Sequence, residues 1–163
     1  MKALYNNGEV KVLPAEEETH VIRHTAAHIM AQAIQRLHPQ AKFAYGPATE
    51  RGFYYDVDLD GEKLSDEDLA AIEAEMLKIT KENLPIKTYE LPRAEAIKLM
   101  EDRGEVYKVE HIGDLAEDAR ITFYQQGDYI DMCVGPHLTY TKGLKAFKVT
   151  GQSGAYWKND SEN

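Results

Sequence analysis

The stretch that decides the fold class is ITFYQQGDYIDMCV, residues 121–134. Its β-branched and aromatic side chains predict extended strands, and Gly127-Asp128 breaks the stretch in the middle. Upstream, predicted helices and short strands follow one another in irregular order, and no strand–helix–strand unit repeats. This order predicts an α+β fold in which a mostly antiparallel sheet packs against helices.

Three helices are predicted upstream of that stretch. The first begins at Pro14 and ends before Pro39, because proline suits the first turn of a helix and restricts the residue before it. The second begins at Ser65, where Asp68 three residues later is a capping signal, and the third runs from Pro92 to about residue 102. Strands are predicted over residues 52–59, 86–91, 106–112 and 146–149.

The first residues are predicted to form a lead-in to the main domain. Asn6-Asn7-Gly8 is a turn signal, which favours a hairpin-like or loose arrangement over residues 1–14. We therefore divide the chain into a short lead-in over residues 1–16 and one domain over residues 17–163.

Composition excludes several classes of function. Lys and Arg number 19 and Asp and Glu number 28, which gives a net charge of −9. A chain this acidic does not wrap nucleic acid by general charge attraction, so any such contact must be local or aided by another part of a longer protein. One cysteine excludes a disulfide framework. Without a signal peptide or an apolar run of about 20 residues, a reducing, cytoplasmic location is expected.

Two histidines lie one helical turn apart in the segment HTAAH, residues 24–28. This spacing puts His24 and His28 on one side of the first helix, away from the apolar stripe that contains Ile22, Ile29 and Ala33. Such a pair can bind a metal ion, or it can position a substrate and water. The alternative is a pair of surface histidines on an amphipathic helix.

A second group of reactive side chains lies in the segment DMCVGPH, residues 131–137. Strand alternation places Asp131 and Cys133 on one face and sends the apolar residues at 130, 132 and 134 to the core. Gly135-Pro136 turns the chain and can bring His137 back beside Cys133. The alternative for the thiol is a buried structural cysteine.

Together the two segments offer three imidazoles and one thiol, from His24, His28, Cys133 and His137. This set suits a tetrahedral zinc ion, and it equally suits a metal-free hydrolytic pocket in which the same groups hold water and substrate hydroxyls. Lys108 is either a surface lysine or an ammonium group directed into that pocket. A partly desolvated lysine can lose its proton near neutral pH and activate water.

Four blocks of the sequence resemble a known family. They are IRHTAAH at residues 22–28, Gly46-Pro47 with GFYYD at residues 52–56, DMCVGPH at residues 131–137, and Gly151 with GAYW at residues 154–157. In this order and spacing they resemble the editing domain of bacterial threonyl-tRNA synthetase, from about Glu17 to the end of the chain. The paired HxxxH and CxxxH motifs are shared, more loosely, with the editing domains of alanyl-tRNA synthetase.

The resemblance implies an activity, partners and roles for six residues. The implied activity is hydrolysis of serine wrongly attached to threonine tRNA, without a metal ion. The implied partners are the acceptor end of that tRNA and the remainder of the synthetase. His24 would handle the terminal ribose hydroxyl, Lys108 would help to activate water, and Cys133 and His137 would hold a second water or shape the pocket. His28 would be a supporting substrate-binding residue, and Asp131 would grip the seryl amino group or side chain.

Two other functions compete with this expectation. One is a zinc-dependent deacylase of the alanyl type, and the other is a non-catalytic module that only binds the tRNA acceptor end. The sequence also ends before a class II catalytic core would begin, so we expect an editing fragment without aminoacylation activity.

Overall fold

The computed structural model describes residues 1–45, 52–147 and 149, and it confirms the α+β fold with antiparallel sheets. The strands are β1 (Lys2–Leu4), β2 (Val10–Val12), β3 (Lys42–Tyr45), β4 (Asp56–Asp58), β5 (Ile86–Pro92), β6 (Arg120–Gln126), β7 (Tyr129–Met132) and β8 (His137–Leu138). The helices are α1 (Glu18–Leu37), α2 (Asp66–Glu82), α3 (Arg93–Asp102) and α4 (Val106–Gly113), with short 3₁₀ turns at Ala15–Glu17 and Thr141–Gly143.

The described strands form three small sheets, ordered β2-β1-β8, β3-β4 and β5-β6-β7, and every pairing among them is antiparallel. The predicted strand stretch at residues 121–134 folds as the β6–β7 pair and turns at Gly127-Asp128, as expected. Gly127 has a φ of 57°, a conformation in which a residue without a side chain is not strained.

Helix α1 is buried on two sides, which decides where its histidines lie. Ala26, Ile29 and Ala33 pack into a core shared with α2, as the apolar stripe predicts. The opposite side, however, is also covered, because Thr25 and His28 are buried there. The histidine pair is therefore not on the outer face of a surface helix.

Helix α2 begins at the predicted capping signal. The Ser65 hydroxyl accepts from the Asp68 backbone N–H at 3.1 Å, and the Asp68 carboxylate accepts from the Ser65 backbone N–H at 2.8 Å. Reciprocal bonds of this kind satisfy backbone donors that the first turn of a helix leaves free.

The predicted strand at residues 106–112 is wrong, because these residues form helix α4. The local run Val106-Tyr107 favours a strand, but packing against α3 and β6 overrides that preference. Ile112 is fully buried in a cluster with Met100 and Phe123, and Lys108, four residues earlier on the same side of the helix, is also buried.

Two other predicted strands differ from the structure. The strand at residues 52–59 is reduced to β4, and residues 146, 147 and 149 form no strand. Lys148 lies outside the described residues, as do the Gly46-Pro47 block and the Gly151 and GAYW block. Val134 was expected in the core but is 68% exposed, since β7 ends at Met132 and the chain turns away.

The predicted hairpin at the start of the chain is confirmed, and it continues into the sheet that carries His137. Strand β1 pairs with β2 on one side and with β8 on the other. The side-chain oxygen of Asn6 accepts from the Gly135 backbone N–H and from the Tyr124 hydroxyl, both at 2.8 Å. A Cβ atom on Gly135 would lie 2.0 Å from the Tyr124 hydroxyl oxygen, so this close approach requires glycine.

No helix in the described part of the chain is long and apolar enough to cross a membrane.

Candidate active site

The predicted site residues meet at one cavity of about 650 Å³. Its walls come from α1, the β3–β4 region, α4 and the β6–β7 pair. Five predicted residues line it: His24, His28, Lys108, Asp131 and Cys133. The sixth, His137, is buried directly behind the thiol. The helical turn and the end of a strand, more than a hundred residues apart in sequence, thus form one site.

Three imidazole rings pack together at the inner end of this cavity. The ring centroid of His24 is 4.1 Å from that of His137, and the centroid of His28 is 4.3 Å from it. His24 and His28 have centroids 5.3 Å apart, as expected for neighbours one helical turn apart. Burial lowers the pKa of His24 and of His28, the latter to about 4, although Asp131 partly opposes both shifts.

Four side chains surround Asp131 at the floor of the cavity, and the Tyr55 and Tyr129 hydroxyls donate hydrogen bonds to it. One carboxylate oxygen lies 2.7 Å from the Lys108 ammonium. The other lies 2.5 Å from the Tyr55 hydroxyl, 2.7 Å from the Tyr129 hydroxyl and 3.2 Å from His28 Nε2. The carboxylate is 2% exposed, so these donors replace the water that it would otherwise bind.

These contacts shift the pKa values of the acceptor and its donors. Burial would raise the pKa of Asp131, but the attraction of Lys108 and His28 outweighs burial and lowers the pKa to about 2. Burial and the Asp131 charge raise the pKa of Tyr55 and Tyr129 well above the usual value. At neutral pH, Asp131 is therefore a carboxylate that accepts hydrogen bonds from two neutral tyrosines and lies beside a neutral His28.

Lys108 makes three contacts with protein atoms. Besides its ion pair with Asp131, its ammonium donates to the Tyr55 hydroxyl at 2.7 Å and to the Ala44 carbonyl at 3.3 Å. An ammonium group has three protons, of which two are in hydrogen bonds to Tyr55 and Ala44, while the contact with Asp131 is an ion pair. The bond to Ala44 is the longest, and Ala44 lines the cavity. This donor is the one that a bound molecule could take over at the smallest cost.

Cys133 is held by His137. The thiol sulfur lies 3.1 Å from His137 Nε2, and Nδ1 of the same ring lies 3.0 Å from the Thr25 hydroxyl. Burial, reinforced by the Asp131 charge, raises the pKa of the Cys133 thiol well above its usual value. A neutral thiol is a poor nucleophile, so this arrangement favours a thiol that binds water or substrate over one that attacks the substrate.

The same side chains fit a zinc ion in donor type and number. Donor atoms of His24, His28, Cys133 and His137 lie within 4.8 Å of one another. Tetrahedral zinc, with bonds of about 2.0–2.3 Å, separates its ligand atoms by roughly 3.5 Å, so shifts of about 1 Å would close the set. A thiolate would also have to form beside Asp131.

Sequence reasoning missed Tyr55, Tyr129 and Thr25. Tyr55 lies in the GFYYD block, but its position was interpreted only as part of a strand. Tyr129 shares a strand face with Asp131, two residues away, and that alternation was the available signal. Thr25 is a polar residue between the two histidines, and nothing in the sequence indicates that it is buried in contact with His137.

The wider rim of the cavity was also missed. It includes His20, His111 and Arg120, three side chains with basic nitrogen atoms, all exposed. No periodic pattern in the sequence connects these positions, because they come from three different elements.

Residues 121–163 match the family described as the threonyl and alanyl tRNA synthetase second additional domain. The matched stretch contains Asp131, Cys133 and His137, whereas His24, His28 and Lys108 precede it. Over these residues the chain is therefore similar to an accessory domain of threonyl and alanyl tRNA synthetases.

The relatives narrow this similarity to one enzyme family. The chain is 57% identical to a threonine--tRNA ligase of Clostridioides difficile over 91% of its own length and 23% of that protein. It is 50% identical to the enzymes of Clostridium tetani and Carboxydothermus hydrogenoformans, over 100% and 96% of its length and 26% and 25% of theirs. The chain thus spans about a quarter of the length of these curated relatives. The chain corresponds to a region of about 165 residues of the bacterial threonine--tRNA ligases.

Proposed function

We propose that this region hydrolyses the ester that joins serine to the terminal adenosine of threonine tRNA, as the editing part of a cytoplasmic threonine--tRNA ligase. One observation carries the proposal: His24, Cys133 and the Lys108–Asp131 pair face a single cavity from three separate parts of the fold. Ester hydrolysis requires groups of this kind, because water must be positioned and deprotonated and the leaving oxygen must be protonated.

A separate hydrolytic site is useful to such an enzyme for an energetic reason. Serine lacks one methyl group of threonine, and a pocket distinguishes a molecule that is smaller by one methylene by only about 1–3 kcal/mol. A second pocket that hydrolyses the smaller product multiplies the selectivity of the first.

His24 is the proposed group at the ribose hydroxyl. Burial lowers its pKa, so the ring is neutral near pH 7 and can accept a proton from a hydroxyl or from water. It is half-buried and reaches the cavity, whereas His28 beside it is engaged with Asp131. In this proposal His24 touches the substrate, and His28 supports the carboxylate.

Lys108 and Cys133 are the proposed groups that position water. Lys108 can exchange its long bond to the Ala44 carbonyl for a bond to water or to the ester oxygen. The Cys133 thiol, fixed by His137, offers a second polar contact across the cavity. The Oδ1 atom of Asp131 makes no hydrogen bond within the described residues but lies against the Lys108 ammonium, so we assign Asp131 first to holding Lys108.

Charge distribution gives the cavity little positive charge of its own. The chain carries a net charge of −9, and the cavity and its rim contain Lys108, Arg120 and four histidines. Lys108 pairs with Asp131 and Arg120 pairs with Glu90, and burial lowers the pKa of His24 and His28, so these two rings are neutral near pH 7. The rest of the synthetase would therefore supply most of the affinity for tRNA.

The test is deacylation of seryl-tRNA of threonine identity by the purified 163-residue chain, at high enzyme concentration and in single turnover. His24→Ala is expected to lower the rate about 100-fold or more, the usual contribution of a general acid or base. Lys108→Ala should lower it as well. His38→Ala is the matched control, since His38 lies just beyond the end of the same helix and outside the cavity. Full activity of His24→Ala would refute its role.

The zinc-dependent alanyl-type reaction is the second candidate, because the donor set fits zinc. Here three of the four donors from His24, His28, Cys133 and His137 would hold the ion, and the fourth position would be left for an activated water. Elemental analysis after dialysis and assays with seryl- and glycyl-tRNA of alanine identity distinguish the two candidates. Binding of a non-hydrolysable seryl-adenosine analogue without any turnover would instead favour a binding module.

A further inference from the structure

Thr25 is a fully buried polar residue whose side chain is used by no step of the proposed reaction. It lies on α1 between the two histidines and is directed away from the cavity, toward β8. Its hydroxyl oxygen is 3.0 Å from Nδ1 of His137 and 3.0 Å from the backbone nitrogen of Leu138. The hydroxyl is therefore in contact with the far side of the ring that holds Cys133.

We propose that Thr25 is a positioning residue that fixes the ring tautomer of His137, so that Nε2 carries the proton and donates it in a hydrogen bond to Cys133. The tautomer itself is a property of the folded chain. Its consequence for hydrolysis rests on the proposed function.

The buried Thr25 hydroxyl needs a hydrogen-bond partner both for its oxygen and for its proton. The Leu138 backbone N–H can only donate, so the hydroxyl oxygen accepts that bond. The hydroxyl proton then needs an acceptor of its own, and within the described residues the one in hydrogen-bond contact is His137 Nδ1. With the proton on Nδ1 instead, the threonine proton would be buried without an acceptor, which disfavours that tautomer.

A neutral imidazole carries a single N–H group. His137 is 1% exposed and packs between two other imidazoles, and no carboxylate contacts either of its nitrogens among the described residues. With Nδ1 as acceptor, the single proton is on Nε2, which lies 3.1 Å from the Cys133 sulfur. The sulfur therefore accepts a bond, and its own S–H is free to turn toward the cavity.

This tautomer affects what the cluster can bind. A metal ion on Nε2 of His137 would need that nitrogen unprotonated, and the proton would move to Nδ1, against Thr25. The hydroxyl contact thus biases the four donors toward a metal-free arrangement in which the thiol is a hydrogen-bonding group. A hydroxyl at residue 25 is sufficient for this effect, so serine should replace threonine there.

The test is the tautomer of His137, measured by two-bond proton–nitrogen NMR correlation on the full chain labelled with ¹⁵N-histidine. The wild-type chain and Thr25→Ser are expected to show protonated Nε2. Thr25→Val keeps the side-chain shape without the hydroxyl and should shift the tautomer ratio about tenfold toward Nδ1–H, the effect of one hydrogen bond. Thr80→Val is the control, because it removes another buried hydroxyl that donates to Leu77 of its own helix.

Two results would overturn the inference. One is a wild-type ring protonated at Nδ1, which needs no variant and so remains decisive if Thr25→Val does not fold. The other is a folded Thr25→Val chain with unchanged tautomer. Deacylation is measured separately, with a roughly tenfold loss in Thr25→Val and recovery in Thr25→Ser. If no variant or wild-type chain deacylates, the proposed function fails while the tautomer result stands.

Discussion

Helix α1 takes part in two charged clusters that share a distance and differ in burial. Near its middle, His28 joins the Lys108–Asp131 pair, whose atoms are 2.7 Å apart and whose side chains are 6% and 2% exposed. Near its end, Arg36 pairs with Glu82, also at 2.7 Å, but these side chains are 33% and 40% exposed. The same nitrogen–oxygen distance has different energetic consequences at the surface and in the interior, because burial removes the solvent that screens the charges.

The two clusters also differ in what the loss of one charged partner would cost. Breaking a buried pair leaves a charge without solvent or partner, whereas an exposed pair exchanges its partner for water. Replacing both members of a buried pair with apolar residues often costs little or even stabilises a protein. The buried Lys108–Asp131 pair under the cavity is therefore better explained by a chemical role than by stability. The exposed Arg36–Glu82 pair, which joins α1 to α2, needs only a packing role.

The largest effect is expected from Asp131→Asn. This variant keeps the size of the side chain but removes the charge that faces Lys108, so the ammonium would remain buried and unpaired. We expect unfolding free energy to fall by about 3–5 kcal/mol, measured by urea denaturation at pH 7. A loss below about 1 kcal/mol would place this pair in the same energetic class as the exposed one.

A double variant sharpens that prediction. Lys108→Met combined with Asp131→Leu removes both charges, so no buried ion lacks a partner. We expect it to be more stable than Asp131→Asn but inactive in deacylation. If it were instead less stable than the single variant, the ion pair would be contributing directly to folding.

An intermediate effect is expected from pH. The folded-state pKa of His28 is lowered from 6.5 to about 4, so between these values the unfolded chain binds a proton that the folded chain excludes. Stability should therefore fall by about 3 kcal/mol as pH drops from 6.5 to 4. Asp131, with its pKa lowered from 3.8 to about 2, extends the loss below pH 3.8, where the unfolded carboxyl takes up a proton first.

Urea denaturation across this pH range measures the effect. His28→Gln should reduce the dependence between pH 6.5 and 4 by the share of this ring, while His24 and His137, whose pKa values burial also lowers, keep theirs. His38→Gln serves as the matched control, since it makes the same substitution just beyond the end of α1 and away from the buried cluster. A wild-type stability that did not change between pH 6.5 and 4 would contradict the assigned shift.

Much of the fold could be predicted because the signals are local. The Ser65 cap and the turn at Gly127-Asp128 each depend on residues adjacent in sequence. The helix predicted to begin at Pro14 starts as a 3₁₀ turn at Ala15–Glu17, and α1 itself begins at Glu18. Helix α4 could not be predicted, because its β-branched residues favour a strand and only contacts with α3 and β6 decide the outcome. The short β4 and the loss of a strand near Ala146 likewise depend on pairing partners that the sequence does not identify.

The sequence predicted which residues belong to the candidate site, but not how their side chains contact one another. Reactive residue types at regular spacing, as in HxxxH, identify candidates without showing which of them face the cavity. The structure places His137 behind Cys133 and surrounds Asp131 with tyrosines, two features that depend on side-chain packing between distant segments. Thr25 shows the same limit, since its partner is 112 residues away.

The smallest effect is expected from Arg36→Gln, which breaks the exposed cluster. Arg36 donates two bonds to Glu82 and one to Glu75, and these bonds raise its pKa and lower that of Glu82. Because solvent surrounds the pair, we expect a stability loss of about 1 kcal/mol or less, and less still in 1 M salt, where screening is strong. Deacylation should be unchanged, since Arg36 does not line the cavity. Losses as large as that of Asp131→Asn would show that geometry, rather than burial, governs both clusters.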